Sequence, residues 1–188
     1  MGWRLFVAVS LGAEVYRALE QVQEEMRRRA PRARWVAPEK AHLTLAFLGS
    51  TEESLVPGLG EALARAAAAV APFHLRISGG GTFGSRRKPR VLWVGVEGDT
   101  AALAALQQAT VAALLPFGYQ PEHREFRPHL TLARAADPRG DPGLSRCAEL
   151  LAGRSLGAAR VDRLILFRSE IRPGGARYTS LAEPPLGG

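Results

Sequence analysis

The sequence predicts an α+β fold, built as one domain with two pseudo-symmetric lobes that each carry a sheet and flanking helices. Segments of alternating polarity and segments with helical periodicity follow one another in the order strand, helix, strand, helix, strand. The same order then recurs, with one more strand at the end. In addition, the tetrapeptide His-Leu-Thr-Leu occurs twice, at 42–45 and 129–132, each time in the second strand of its half.

The first half contains predicted strands at 3–11, 41–49 and 73–78, where apolar and polar residues alternate. Predicted helices at 14–29 and 52–71 lie between these strands. The first helix has an apolar residue every three or four positions and a basic C-terminal end that complements the helix dipole. A proline and two glycines weaken the helical pattern in the first half of the second helix.

The second half repeats this arrangement. Its strands are predicted at 90–96, 129–134, 160–170 and 176–182, and its helices at 100–117 and 143–153. Glycine and proline predict a loop at 79–89, a mobile loop at 136–143 and a turn at 173–175. Because no separate linker divides the sequence, we expect a single domain over 1–188, with pseudo-repeats at roughly 1–89 and 90–188 from an old duplication.

The composition is that of a globular protein, and its charge is compatible with an anionic partner. The chain has 188 residues, of which 46% are hydrophobic, enough for one core. It has no continuous apolar run of about 18 residues, so we expect no membrane span. The first strand lacks the basic region and cleavage site of a signal peptide, so we expect a cytoplasmic location. A monomer is the default expectation. The single cysteine, Cys147, has no partner for an internal disulfide. The net charge of +7 favours a nucleic acid or a phosphorylated metabolite as partner.

Each copy of the tetrapeptide places a histidine and a threonine on one face of its strand, because successive side chains on a strand point to opposite faces. His42 and Thr44 therefore share a face, as do His129 and Thr131. The leucines of each copy point the other way and would anchor the strand in its lobe. If the two strands lie side by side, two imidazoles and two hydroxyls converge on one cleft between the lobes.

Such a group of side chains suits a phosphodiester. In-line attack on phosphorus needs a base that takes a proton from the attacking oxygen and an acid that protonates the leaving oxygen. Two histidines can supply both near neutral pH, when one is neutral and the other protonated. Threonine hydroxyls can donate hydrogen bonds to the non-bridging oxygens and hold the group in line. This chemistry requires no metal and no other cofactor.

The repetition is what favours catalysis over packing. A single His-x-Thr on a strand is more often a packed or surface feature than a catalytic site. Two identical copies in equivalent strands of two halves are much less expected by chance. The motif is symmetric, however, and so leaves open which histidine is the acid and which is the base.

The chain resembles the two-histidine phosphoesterase superfamily, whose signature is a pair of His-x-Thr-x motifs. The stretches "RLFVAVSL", "WVAPEKAHLTLAFLG" and "FRPHLTLAR" are similar to the RNA 2′,3′-cyclic phosphodiesterase, or 2′-5′ RNA ligase, family, and the resemblance covers essentially the whole chain. It implies two antiparallel sheets that face each other across an active-site cleft. It also implies RNA with a 2′,3′-cyclic phosphate end as substrate, hydrolysis to a 2′-phosphate, and ATP-independent 2′-5′ joining. Finally, it implies that His42 is the proton donor and His129 the proton acceptor.

Two arginines near the second motif are further candidates for binding phosphate. The family pattern includes Arg134, although on an ideal strand it would face away from His129 unless a bulge or the strand end redirected it. Arg127 lies two residues before His129 and could share its face, with a solvated rim charge as an equal alternative. Phe6 and Phe126 could each stack on a base, but core packing is favoured.

Other features carry weaker signals. The predicted loop at 79–89 and its border hold four basic residues that could guide an RNA backbone or could be solvated without a role. These residues are Arg86, Arg87, Lys88 and Arg90. The stretch "GGGTFG" matches a dinucleotide-binding pattern, but a strand rather than a helix follows it. His74 and His123 lack the spacing of zinc ligands and are expected to be non-catalytic.

Two other functions stay open. One is the same chemistry on a smaller substrate, such as a cyclic nucleotide or ADP-ribose cyclic phosphate. The other is a non-catalytic RNA-binding module in which the histidines serve recognition only. A comparison of oligonucleotide with mononucleotide turnover would separate the first from RNA-end hydrolysis. Binding that survives loss of both imidazoles, without turnover by the intact protein, would indicate the second.

Overall fold

Two sheets and four helices form the fold of this computed structural model, which describes residues 2–85, 87–121, 125–173 and 175–187. The strands are β1 (Trp3–Val9), β2 (Arg34–Trp35), β3 (Leu43–Thr51), β4 (Phe73–Ser85), β5 (Lys88–Gly98), β6 (Leu130–Arg134), β7 (Ser155–Val161), β8 (Ile165–Arg172) and β9 (Gly175–Ala182). The helices are α1 (Gly12–Arg27), α2 (Val56–Ala68), α3 (Thr100–Leu114) and α4 (Gly143–Leu151).

The first sheet has the strand order β3-β1-β8-β9, and the second has the order β2-β6-β5-β4-β7. All pairings in both sheets are antiparallel. The helices divide between the sheets: α2 and α3 contact the first sheet, whereas α1 and α4 contact the second. The prediction of an α+β fold with two antiparallel sheets is therefore confirmed.

Each sheet combines strands from both halves of the sequence. The first sheet joins β1 and β3 to β8 and β9, and the second joins β2 and β4 to β5, β6 and β7. The expected boundary between pseudo-repeats, near residues 89 and 90, falls inside β5, which pairs with β4 along most of its length. The sheets therefore do not coincide with the sequence halves, and no linker separates them. The duplication and the single domain stay predictions.

The prediction of a loop at 79–89 is wrong, because β4 and β5 form one long hairpin through most of this region. The glycines there serve close packing instead of a loop. A Cβ atom on Gly80 would lie 2.5 Å from the Leu151 side chain, and one on Gly81 would lie 2.5 Å from the Trp93 ring. Glycine in this strand therefore lets α4 and an indole lie directly on the β4 backbone.

Other predictions differ from the structure in detail. The strand expected at 160–170 is two strands, because residues 162–164 carry the chain from the second sheet to the first. The two-residue β2 and most of β7 carry no clear alternation and are not predicted. Helix α2 tolerates its proline because Pro57 occupies the first turn, where a backbone donor would lack a partner anyway. In the predicted turn at 173–175, Gly174 lies outside the described residues.

The segment Thr100–Phe117, α3 and the turn after it, has 18 residues and a mean hydropathy of 1.4, so by length and composition alone it could cross a membrane. The sequence led us to expect no such segment. In the structure Leu103, Leu106 and Leu114 of this helix are fully buried, and the helix packs against α2 and β3. The helix therefore packs against the domain along one side, while 22% of the segment as a whole is buried. The cytoplasmic location and the monomeric state stay predictions.

Replacing Leu130 by alanine should lower the free energy of unfolding by about 2–5 kcal/mol, because the change leaves a cavity at a fully buried position of β6. Leu115→Ala is the control, since that side chain is 51% exposed and a change within about 0.5 kcal/mol is expected. Urea unfolding followed by circular dichroism measures both variants. Equal losses in the two variants would contradict the packing described.

Candidate active site between the two sheets

Both tetrapeptides lie at the start of strands whose leucines are anchored in the core. His42 directly precedes β3, and His129 directly precedes β6. The leucines of the two copies are at most 4% exposed: Leu43, Leu45, Leu130 and Leu132. The two histidines, together with Thr44 and Thr131, are only partly buried and line one cavity of about 380 Å³ between the sheets. The structure therefore brings together the four side chains that alternation places on one face of each strand.

The two imidazoles are held in the same way. Nδ1 of His42 lies 2.7 Å from the carbonyl oxygen of Lys40, and Nδ1 of His129 lies 2.7 Å from the carbonyl oxygen of Arg127. A carbonyl oxygen can only accept a hydrogen bond, so Nδ1 carries the proton of each neutral ring. Nε2 of each ring is then the nitrogen that can exchange a proton with a bound molecule. It can accept a proton when the ring is neutral and donate one when the ring is charged.

A β-bulge at the same place in both motif strands brings one more residue of each strand onto the cleft face. Leu45 has no partner in the register of β3 with β1, and Leu132 has none in that of β6 with β5. The alanine after each leucine is also buried, so the alternation is offset by one residue. Phe47 and Arg134 therefore return to the cleft and line the cavity. The bulge explains how Arg134 shares the cavity with His129.

The cavity is electropositive. Arg4, Lys40 and Arg134 line it together with the two histidines, and no aspartate or glutamate of the described residues does so. Such a lining favours an anion, and the fork of an arginine matches the oxygens of a phosphate. Among the described residues there is no group of three histidine, cysteine or carboxylate side chains that could hold a metal ion.

The surroundings of the two histidines differ. The ring of Phe6 stacks on His42 with 4.7 Å between centroids, and the ring of Tyr178 meets it edge-on at 5.3 Å. Burial lowers the pKa of His42 below its ordinary value, and the hydrogen bond of its Nδ1 opposes this shift. His129 meets the ring of Phe83 edge-on at 4.8 Å. In the unliganded cleft, His42 is therefore biased toward its neutral form.

Tyr178 is a cavity residue that no motif reveals. It lies on β9 and lines the cavity with Arg4 and Arg134. Burial raises the pKa of the Tyr178 hydroxyl, while these two arginines oppose the rise. The sequence shows only that Tyr178 belongs to an alternating terminal strand, which does not reveal the sheet that the strand joins. Arg4 is missed because the sequence does not show which strands β1 joins, and Phe47 is missed because only the bulge turns it toward the cleft. The two side chains contact each other, with the guanidinium carbon 4.9 Å from the ring centre.

A second cavity, of about 720 Å³, lies beside the first on the side of His129. The two cavities share Thr44, Phe47 and His129 in their linings. The second cavity is bordered by parts of β3, β4 and α3 and by the segment that leads into β6. The first cavity therefore continues into a larger space next to one of its two histidines.

Two sequence candidates line the second cavity instead of the first. The Arg127 side chain is exposed and pairs with Glu125 at 3.5 Å, so its predicted contact with phosphate stays a prediction. Phe126 also borders the second cavity while packing against the core. Phe6, by contrast, is 2% exposed and stacks on His42 within the first sheet. Packing is therefore what the structure shows for Phe6.

The remaining candidates lie away from the first cavity. Arg87 and Lys88 are exposed at the tip of the β4–β5 hairpin. The stretch at 79–84 lies within β4 and pairs with β5, so it forms no phosphate-binding loop before a helix. His74 is exposed on β4 and lines neither cavity. Arg86 and His123 lie outside the described residues.

The site is embedded in a chain with many known relatives. A family model described as the 2′-5′ RNA ligase superfamily matches residues 10–171. A Geobacillus stearothermophilus protein named RNA 2′,3′-cyclic phosphodiesterase is 37% identical over 97% of this chain and 57% of its own length. This chain thus spans little more than half of that relative. A Thermus thermophilus protein of the same name is 36% identical over 98% of this chain and 91% of its own length.

Solved structures agree with the fold. The crystal structure of a Thermus thermophilus protein superposes with a TM-score of 0.82 and 31% identity, covering 98% of both chains. The crystal structure of E. coli LigT complexed with 3′-AMP superposes with a TM-score of 0.73 and 27% identity, covering 99% of both chains.

We expect the pKa of His42 to lie below the ordinary value of 6.5, because its ring is stacked on Phe6 and removed from water. NMR titration of the imidazole resonances measures this pKa, and His42→Gln assigns the signal. The folded state then binds a proton more weakly than the unfolded state, so stability is lost as pH falls through 6.5 toward the folded pKa. This loss should be smaller in His42→Gln. A pKa at or above the ordinary value would contradict the expectation.

Proposed function

The chain belongs to the 2′-5′ RNA ligase superfamily, and we propose that it hydrolyses 2′,3′-cyclic phosphate ends of RNA to 2′-phosphates, with His42 and His129 as an acid–base pair. One observation carries this proposal. Two histidines with the same Nδ1 restraint line a single electropositive cavity together with two threonines. The relatives named RNA 2′,3′-cyclic phosphodiesterase support this choice of substrate.

Hydrolysis proceeds by in-line attack. Nε2 of neutral His129 takes a proton from water as the water oxygen bonds to phosphorus. The bond between phosphorus and O3′ breaks on the opposite side, and O3′ receives the proton of Nε2 from charged His42. The phosphate stays on O2′. The roles of donor for His42 and acceptor for His129 follow the family resemblance.

Cations and hydroxyls around the phosphate stabilise the charge that develops on its oxygens. The hydroxyls of Thr44 and Thr131 donate hydrogen bonds to the non-bridging oxygens, and the guanidinium groups of Arg4 and Arg134 offset their charge. The same phosphate compensates for the low pKa of His42, because a nearby negative charge favours imidazolium. Substrate binding therefore brings the acid into its protonated form.

A cyclic mononucleotide is the second candidate substrate, because a cavity of about 380 Å³ is large enough for a small ligand. The net charge of +7 and the exposed Arg87 and Lys88 favour RNA. If the 5′-hydroxyl of an RNA replaces water, the same pair of histidines joins two RNA ends through a 2′-5′ linkage. None of these steps requires a metal or another cofactor.

A short RNA that ends in a 2′,3′-cyclic phosphate should be converted to the 2′-phosphate in the presence of EDTA. His42→Ala and His129→Ala should each lose about 10²- to 10⁴-fold in rate, because each removes one half of the acid–base pair. Chromatography against the two phosphate isomers identifies the product. A cyclic mononucleotide, assayed in parallel, reports whether the RNA chain contributes to binding.

His74→Ala is the matched control, because His74 is exposed and lines neither cavity. Full activity in either His42→Ala or His129→Ala would contradict the acid–base proposal. A wild-type protein that binds the RNA without turnover, with binding retained when both imidazoles are removed, would show an RNA-binding module instead.

The dependence of kcat/KM on pH should be bell-shaped, since one imidazole must be neutral and the other charged. Activity should fall at low pH as the base is protonated and at high pH as the acid loses its proton. The two apparent pKa values belong to the pair and not to either residue alone. Single-turnover rates across the pH range distinguish this profile from one set by product release. A monotonic single-turnover profile would contradict paired acid–base work.

A further inference from the structure

Hydrolysis leaves the second cavity without a use. Its volume of about 720 Å³ exceeds the 380 Å³ of the first, and sites for small ligands typically have about 300–1,000 Å³. On the side of His129, however, hydrolysis needs room only for one water molecule. The fold nevertheless builds a large concave space there.

We propose that the second cavity binds the nucleoside of a second RNA end, whose 5′-hydroxyl attacks the cyclic phosphate in place of water. This inference rests on the proposed function, because it assumes the same acid–base pair. It adds a site for the acceptor strand to a cleft that otherwise holds the cyclic end.

The position of the second cavity indicates which RNA it binds. It favours the acceptor strand, which supplies the attacking 5′-hydroxyl, over the RNA that carries the cyclic phosphate. Among the described residues, His129 lines the second cavity, whereas His42 lines only the first. In an in-line displacement the attacking and leaving oxygens lie on opposite sides of phosphorus, beside the base and the acid respectively. A group that extends into the second cavity is therefore attached to the oxygen that His129 handles. With His129 as the base, this oxygen is the nucleophile.

The lining of the cavity suits a nucleoside. Four aromatic side chains border it: Phe47, Phe83, Tyr119 and Phe126. Phe47 borders both cavities and is 43% exposed, and an exposed aromatic face in a cleft is a surface on which a base can stack. Gln107 and Glu125 supply hydrogen-bonding groups for base edges or ribose hydroxyls.

One solvent-exposed cation of the lining is available to the continuing RNA strand. Arg127 lines the cavity with an exposed guanidinium group, held beside Glu125. An acceptor RNA that presents its 5′-hydroxyl to His129 carries its first phosphate on the other side of the ribose. Arg127 is then placed to contact this phosphate, and the contact would be with the acceptor strand and not with the reacting phosphate.

The joining step balances without a co-reactant. Nε2 of His129 takes the proton of the 5′-hydroxyl while its oxygen bonds to phosphorus. The bond from phosphorus to O3′ of the cyclic end breaks, and O3′ receives a proton from Nε2 of His42. Phosphorus stays bonded to O2′, so the product is a 2′-5′ phosphodiester with a free 3′-hydroxyl. The reaction needs no nucleoside triphosphate, because the strained cyclic ester is already activated and its O3′ is the leaving group.

The test measures how the protein partitions one substrate between two products. An RNA with a 2′,3′-cyclic phosphate end is incubated with an excess of a 5′-hydroxyl RNA, and the ratio of joined to hydrolysed product is measured. Phe126→Leu and Gln107→Leu should lower this ratio at least about fivefold, because they remove a stacking face and a polar contact of the acceptor. The ratio cancels effects that are common to both reactions.

Phe117→Leu is the matched control, since Phe117 also packs against the core but lines neither cavity, and its ratio should equal that of the wild type. Thermal unfolding verifies that each variant is folded. An unchanged ratio in both cavity variants, or a wild type that hydrolyses but never joins at any acceptor concentration, would overturn the inference. A raised KM for hydrolysis with an unchanged ratio would overturn it too, since the cavity would then hold the cyclic end. A wild-type protein that does not hydrolyse the cyclic phosphate would instead contradict the proposed function.

Discussion

The site depends on one constraint, which is that each motif strand must bury its leucines in a core while its histidine and threonine face the opposite sheet. Leu43 and Leu130 have no exposed surface, so the start of each strand is fixed by packing. Each histidine precedes such a leucine by one residue, and a carbonyl group two residues before the histidine binds its Nδ1. The leucines therefore hold in place both the ring and the group that selects its tautomer.

The backbone geometry of the two motifs is the same, but the side chains and cavities around them differ. Both strands have a bulge after the threonine, which brings Phe47 to the cleft in one strand and Arg134 in the other. His42 is stacked on Phe6, whereas His129 borders the larger cavity. Two identical tetrapeptides thus supply an imidazole with a lowered pKa and another beside open space. In the proposed mechanism, this difference lets two identical motifs take the two different roles of acid and base.

The sequence predicts those parts of the site that depend on local periodicity. Alternation places His42 and His129 on cleft faces, and the structure agrees. It cannot place Tyr178, because the position of a terminal strand depends on which sheet it joins, a non-local choice. Arg134 faces the cleft only because of a bulge, which the sequence pattern does not predict. Glycines at 79–81 predict a loop, yet they make room for large side chains of other elements.

The charge of the cleft links phosphate binding to the proposed acid–base chemistry. Arg4, Lys40 and Arg134 line the first cavity without a carboxylate among the described residues, so like charges are held close together when no anion is bound. Burial lowers the pKa of His42 and so opposes its protonation. A bound phosphate removes the repulsion and favours the imidazolium form at the same time. In the proposed mechanism, the phosphate that these cations bind is therefore also the group that favours protonation of the acid, and an anion without a cleavable ester would favour it equally well.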